Sequence, residues 1–350
     1  MYIANTGLIT AIGAFTRMVH AVYRTGLSAY ASANYFTHDH HLITLAQIPD
    51  AALPPLVAPL EDSDSLSLRD QRLLRFAQVA AAEALAGYEG DPVPLLLAGP
   101  QNYSGLQNQL GRDFFPALQQ QTDLPIDYAT SRLVSTGRTG VMDALRLADH
   151  YLYDLGLKAV LVGGVDTCQN SRWLALLDSD GRIKSGRPGA GDSFVPGDGA
   201  GFLLLTAEPA VNEEWCYRLT PPGFATETGH LYSSEPYLAN GLDAAVKQAL
   251  LAMPEELPIT QMFSSMNGEH HWVKEIGVAA SRSSQRLKNA AHQHPADCYG
   301  DLGAATGAAL IALAYCDHQQ KKRPHGSLIT TSSDNEYRAA TCLVSERISA

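Results

Sequence analysis

The sequence predicts an α/β fold built from two related halves. Strand-like apolar runs alternate with helical patterns from end to end, and after Glu208-Pro209 that alternation starts afresh. The segment Leu133-Val134-Ser135-Thr136-Gly137 also joins an apolar strand end to a helix start through a tight elbow. The halves are expected at 1–208 and 209–350, joined around 208–214, with the elbow at 133–137 in the first.

Tyr2–Ile9 opens as a strand and stops at Thr10-Ala11-Ile12-Gly13. Thr16–Thr25 reads as a helix, closed by Gly26 at its C-terminal side. The run Ala51–Ser67 is rich in Pro, Asp and Ser and reads as a surface excursion. Arg69–Ala86 carries apolar residues at 73, 74, 77, 80, 81, 84 and 85, the stripe of an amphipathic helix. Leu95–Ala98 is a short buried strand, Gly137–Leu155 the helix after the elbow, and Ala159–Val162 and Gly201–Thr206 are further strands. In the second half, strands are expected at Cys216–Leu219, Ile259–Ser264, Ser327–Thr331 and Ala339–Val344, with helices at Tyr237–Leu251 and Asp301–Tyr315.

Composition narrows the function. With 45% hydrophobic and 17% charged residues, the 350-residue chain is globular and long enough for a substantial core. No apolar run approaches the ~18 residues that span a bilayer, so no membrane role is expected. Met1-Tyr2-Ile3-Ala4-Asn5 lacks the basic and apolar regions of a signal peptide, which predicts a soluble, cytoplasmic protein. A net charge of -11 repels phosphate and excludes a general nucleic-acid role. It also weighs against an acidic carrier partner unless basic residues gather locally; the one basic run, Lys321-Lys322-Arg323, reads as a solvated connection after a helix. Cys168, Cys216, Cys298, Cys316 and Cys342 are scattered and odd in number, the pattern of reduced thiols.

Several segments, in order, resemble β-ketoacyl synthases of the thiolase-like superfamily. Thr6-Gly7-Leu8-Ile9-Thr10-Ala11-Ile12-Gly13 is similar to that family's opening strand and turn, and Arg24-Thr25-Gly26-Leu27-Ser28 to its Gly-x-Ser segment. Leu161-Val162-Gly163-Gly164-Val165-Asp166 resembles the Ala-Gly-Gly-x-Glu strand end. Phe194-Val195-Pro196-Gly197-Asp198-Gly199-Ala200-Gly201 resembles the Phe-Val-x-Gly-Glu-Gly-Ala-Gly signature, and Gly303-Ala304-Ala305-Thr306-Gly307 a Gly-Ala-Ala-Gly helix start. At the elbow, Gly137, Ala144, Arg146 and Leu147 fit the pattern Cys-x-Ser-Gly followed by Ala-x-Arg-Leu. The resemblance implies the thiolase fold, two βαβαβ halves in an α-β-α-β-α layered core.

The same resemblance implies that the chemistry is missing. The cysteine nucleophile falls on Val134, whose isopropyl group cannot attack a thioester. The two catalytic histidines fall on Glu269, within Met266-Asn267-Gly268-Glu269-His270-His271, and on Asp301 after Gly300. The closing Gly-Phe-Gly-Gly turn corresponds to Ser332-Ser333-Asp334-Asn335. Ionised carboxylates accept hydrogen bonds and repel a developing oxyanion; only burial that keeps them protonated would change that.

No catalytic residue, cofactor or metal is therefore expected. Ser135 is the remaining nucleophile candidate, against the plainer reading that Ser135 and Thr136 cap the helix. His38-Asp39-His40-His41 and Glu269-His270-His271 lack metal-ligand spacing. Glu269 and His270 are adjacent and point apart as an acid–base pair, while Cys168 reads as a small buried thiol. Asp166 and Asp198 read as binding local backbone, and Gly197-Asp198-Gly199-Ala200-Gly201 as a packing turn rather than a phosphate loop. Whether Arg138 and Met142 fill the former acyl channel is left open.

The leading expectation is a pseudoenzyme that binds another protein: an adaptor, chaperone or partner subunit, with a bacterial type VI secretion effector as one conceivable client. It implies a homodimer, or a heterodimer with a related thiolase-fold subunit, paired through Ala159–Val162. The alternatives are a chain-length-factor-like subunit of an active synthase, an acyltransferase, hydrolase, decarboxylase or condensing-type enzyme on acyl thioesters using Ser135 or a carboxylate, and a pocket that holds an acyl chain without turnover.

Overall fold

The computed structural model describes residues 1–61, 66–189, 191–210 and 213–348. The strands run β1 Tyr2–Thr10, β2 Ala31–Phe36, β3 Leu42–Leu45, β4 Val93–Ala98, β5 Ile126–Val134, β6 Ala159–Asp166 and β7 Gly199–Thr206. They continue as β8 Trp215–Leu219, β9 Gly223–Thr226, β10 Ile259–Ser264, β11 Ala291–Gln293, β12 His325–Ser332 and β13 Tyr337–Arg347.

Among the described residues, five strands of the first half lie in the order β5-β4-β6-β7-β1, and five of the second as β11-β10-β12-β13-β8. Taken in chain order, the two sets have the same arrangement. In each, the two outer pairs are parallel and the two inner pairs antiparallel. The halves meet where Tyr2 of β1 pairs with Arg218 of β8.

Apolar faces set the layering. The helices Gly140–Asp149 and Thr306–Lys321 share one core with residues from both sets of strands, including Val162 and Leu203 from one and Ile329 and Leu343 from the other. The Leu68–Ala84 helix closes the outer face of the first set through Leu73, Phe76, Ala77 and Ala80. Asn240–Leu251 and His270–Arg282 close the outer face of the second with Leu242, Val246 and Ile276. The outcome is the α-β-α-β-α stack. Helix ends follow local chemistry: Ser67 Oγ accepts from Asp70 N at 3.0 Å, and Gly26 ends Thr16–Thr25 with φ 73°.

Several expectations need correction. Ala159–Val162 belongs to β6, which is hydrogen-bonded to β4 on one side and β7 on the other, so it has no free edge for a partner. Among the described residues the sheet ends at β5, the strand before the elbow, on this side and at β11 on the other; hydrophobicity marked β6 as buried, and burial in mid-sheet was its cause. The Ala51–Ser67 run is not merely a surface excursion: Leu53, Leu60 and Leu66 are buried and Val57 N donates to Gln121 Oε1 at 3.0 Å, while 62–65 lie outside the described residues. The helix expected from Tyr237 begins at Asn240, because Ala239 takes a left-handed conformation with φ 56°. Gly137–Leu155 is three segments: a 3-10 turn, the helix Gly140–Asp149 and a π turn at His150–Asp154. Asp301–Tyr315 starts as a 3-10 turn at Gly303–Ala305 and runs as helix to Lys321. Sequence periodicity also missed the β2–β3 hairpin and the helices Phe114–Gln121, Ser171–Ser179 and His270–Arg282.

No helix among the described residues is long and apolar enough to cross a membrane.

Candidate functional site

The elbow sits where β5 ends. Val134, Ser135 and Thr136 are half-buried, and Gly99 N donates to Val134 O at 2.8 Å, holding the strand end against the β4 end. Gly137 then turns the chain at φ 67°, a conformation costly for any residue with a Cβ, and a Cβ there would lie 2.0 Å from Gln101 Oε1. Gly137→Val is expected to destabilise the protein by at least ~2 kcal/mol, read from the urea unfolding midpoint. A change under ~0.5 kcal/mol would mean that the turn relaxes at little cost.

Ser135 and Thr136 do not cap the helix. Thr136 Oγ1 donates to Asp143 Oδ2 at 2.7 Å, and no side-chain hydrogen bond of Ser135 is present among the described residues. The cap comes from the other half: Ser333 Oγ accepts from Thr139 N at 3.1 Å and donates to Thr136 O at 2.5 Å. A nucleophilic serine needs a base within hydrogen-bond reach, and Ser135 makes no side-chain hydrogen bond to one among the described residues.

Near the elbow the structure brings Glu269 and Asp301 together through Asn267, in the company of two arginines and a third carboxylate that sequence reasoning did not anticipate. Arg138 Nε donates to Asp301 Oδ2 at 2.7 Å, and its Nη1 donates to Asp334 Oδ1 at 2.7 Å. Arg182 Nε and Nη2 donate to the two oxygens of Glu269 at 2.7 and 3.0 Å, and Nη1 donates to Asp334 Oδ2 at 2.9 Å. Asn267 Nδ2 bridges Glu269 Oε2 at 3.1 Å and Asp301 Oδ2 at 2.8 Å. Trp272 Nε1 adds a bond to Glu269 at 2.9 Å, Gly303 N one to Asp301 Oδ1 at 2.9 Å, and Tyr232 Oη accepts from Arg182 at 2.8 Å. The guanidinium carbons stand 5.4 Å from the Trp272 ring (Arg138) and 5.4 Å from the Phe194 ring (Arg182).

Two guanidiniums and three carboxylates are thus buried together; every one of the five side chains is at most 8% exposed. Charges so far from water persist only when paired and fully hydrogen-bonded. Burial alone would raise the Asp334 carboxyl, yet Arg182 and Arg138 hold it well below the usual carboxylate range. Burial likewise pulls the Arg138 guanidinium down, but Asp301 and Asp334 outweigh it and leave it above its ordinary value. Asp166, close by, is pushed up to about 7 by burial, against bonds from Ala304 N and Thr167 N.

The network occupies the space. The cavity left beside Gly137, Arg138 and Asp301, walled by Gln101, Tyr103 and Trp173, is about 10 Å³. That is room for about one water and not for an acyl chain. Gly303 closes it further: at φ 50° it approaches so closely that a Cβ would lie 2.0 Å from Asp166 Oδ2. Met142 lies fully buried in the apolar core between the sheets, whereas Arg138 is the residue that fills the site.

The other candidates fall elsewhere. Asp198 accepts from Arg72, Thr167 Oγ1 at 2.7 Å and backbone N–H groups of Ile48 and Cys168, so it bonds side chains as well as backbone. Cys168 is fully buried beside it, its thiol pushed well up by burial and by Asp198. His38 Nδ1 meets Asp178 at 2.9 Å, and His270 is exposed beside Asp192, apart from Glu269. Among the described residues no group of three or more His, Cys, Asp and Glu side chains could hold a metal ion. Arg182, Trp272 and Tyr232 were missed as site residues. Three carboxylates at buried positions demanded cations, and that demand was the available signal.

The layered strand pairs and the elbow after a parallel strand place the chain in the thiolase-like fold class. Within that class it shares its fold with ketosynthases. The ketosynthase (ApeO) in complex with its chain length factor (ApeC) from Xenorhabdus doucetiae matches with TM-score 0.70 and 15% identity, covering 99% of this chain and 98% of that one. The ketosynthase from module 6 of the bacillaene synthase of Bacillus subtilis 168 matches with TM-score 0.74 and 12% identity, covering 100% and 72%. The ishigamide ketosynthase/chain length factor matches with TM-score 0.66 and 16% identity, covering 99% of each. Identities this low establish the fold and nothing finer. No protein-family model matches the sequence, and no curated protein matches it.

Proposed function

We propose that this protein is a catalytically silent, chain-length-factor-like subunit that works by pairing with a related thiolase-fold condensing subunit. The observation that carries this reading is the buried Arg138–Asp301–Asp334–Arg182–Glu269 network, with only about 10 Å³ left beside the elbow. Valine at 134 offers no nucleophile, and carboxylates already committed to guanidiniums stand where neutral hydrogen-bond donors would serve an oxyanion. The full-length match to a ketosynthase–chain length factor complex supports the partner-subunit form of the reading. No feature of the site favours an adaptor for a secreted effector over it.

The pairing edge in this reading is β5, whose Ala129, Thr130, Arg132 and Leu133 are exposed. β5 is nine residues long and no strand among the described residues lies outside it, so another strand can extend the sheet there. Two measurements test the proposal. Incubation with acetyl and malonyl thioesters is expected to leave the intact mass unchanged, whereas a stoichiometric adduct lost in Ser135→Ala would replace it with an acyltransferase. Affinity purification from the native host is expected to recover a condensing subunit stoichiometrically, and Leu133→Lys on the β5 edge is expected to abolish that recovery. A Leu133→Lys protein that still pairs would rule out β5.

A further inference from the structure

A second surface is charged against the grain of this acidic chain. The Thr16–Thr25 helix and the last turns of Thr306–Lys321 enclose an open groove of about 540 Å³, lined by Arg17, His20, Ala21 and Arg24 on one wall and Cys316, Gln319 and Gln320 on the other. Arg17 and Arg24 are both exposed, and neither makes a hydrogen bond or ion pair among the described residues. Being seven residues apart, they lie on one helix face about 10 Å from each other. Lys321, Lys322 and Arg323 extend the basic character beyond the groove's end, and Arg24 and Arg323 are close enough to depress Lys321, after burial as the main cause.

The nearby carboxylates are already committed. Asp317, under the floor, receives His20 Nε2 at 2.9 Å and Gln261 Nε2 at 2.6 Å. Glu83, within reach of Arg17, accepts from Leu8 N and Thr16 N at 2.9 Å each. Asp297 pairs with His294 at 2.7 Å. The two arginines are therefore left facing solvent over a trough shaped by two helices, on a protein whose net charge is -11.

We propose that this groove receives an acidic helix of a partner protein. A third helix fills the trough between two packed helices, and carboxylates seven residues apart repeat the ~10 Å spacing of Arg17 and Arg24. An extended strand puts residues ~10 Å apart, three positions on, on opposite faces and cannot address both arginines. Gln319 and Gln320 supply uncharged donors along the other wall. The acidic remainder of the surface turns the partner's negative face away from other sites, so the charge pattern serves selectivity and encounter rate.

The test uses the intact purified protein and a fluorescein-labelled helical peptide with two pairs of glutamates spaced seven apart, read by fluorescence anisotropy at low ionic strength. A peptide of identical composition with the glutamates on opposite faces is the comparison. Binding of the first peptide is expected to weaken about tenfold or more in Arg17→Glu/Arg24→Glu and to stay within about twofold in Arg112→Glu/Arg172→Glu, both of which alter exposed arginines. Circular dichroism melts establish that each variant is folded. Absent binding, equal binding of the two peptides, or equal loss in both variants would overturn the proposal. Because the assay involves neither the elbow nor β5, its result stands apart from the fate of the partner-subunit reading.

Discussion

Arg138→Ala is expected to destabilise the protein by about 3–5 kcal/mol, the cost of leaving buried charge without its partner. Asp301 is only 5% exposed and Asp334 only 2%. Asp334 would keep Arg182, but Asp301 would be left with Asn267 and Gly303 N as its donors. The urea unfolding midpoint reads the loss. Arg138→Lys should recover only part of it, since an ammonium cannot span both carboxylates with the geometry of a guanidinium fork. Adding Asp301→Asn to Arg138→Ala removes the stranded charge and is expected to return stability, a coupling visible in the double-mutant cycle. A loss below ~1 kcal/mol for Arg138→Ala would mean that water reaches these carboxylates, and the filled-site reading would fall with it.

Acidification is expected to act through a second buried cluster. His318 and His325 are fully buried and stacked, ring centroids 3.9 Å apart. His318 Nε2 bonds Ser327 Oγ at 2.9 Å and His325 Nδ1 bonds Ser345 Oγ at 3.0 Å. Burial first, then the neighbouring cations, lowers both below the ordinary histidine value, His318 by much the more. An unfolded chain takes up protons near pH 6.5 that the folded pair refuses, so stability is full above that pH and falls as pH drops through the folded values. His271 and His292, each held down to about 4 chiefly by burial, act in the same direction. Asp166, pushed up to about 7 by burial, acts in the opposite one, because its folded form gains protons first. The clean comparison is therefore between two proteins. Between pH 7 and 5, the wild type is expected to lose stability faster than His318→Gln by up to about 1.4 kcal/mol per pH unit, in urea midpoints at each pH. Parallel slopes would show that the His318 ring is protonated as readily folded as unfolded.

Much of the fold was legible because its signals are local. The alternation of periods, Gly26 past the first helix and the positive-φ Gly137 at the elbow each depend on a few consecutive residues. Ordered motifs such as Phe194–Gly201 carried the layered fold further than any single segment. At the site, the sequence alone determined that positions 134, 269 and 301 hold valine, glutamate and aspartate, and the family resemblance made them the positions to compare. Tertiary structure decided what those residues do. Arg182 is 87 positions from Glu269 and 152 from Asp334, and no periodicity links them. Ser333 reaches 194 positions to cap the turn at Thr139. Whether β5 or β6 forms the open edge was likewise outside the reach of pattern, since an apolar run records burial while hydrogen-bond pairing across a sheet joins segments far apart in the chain.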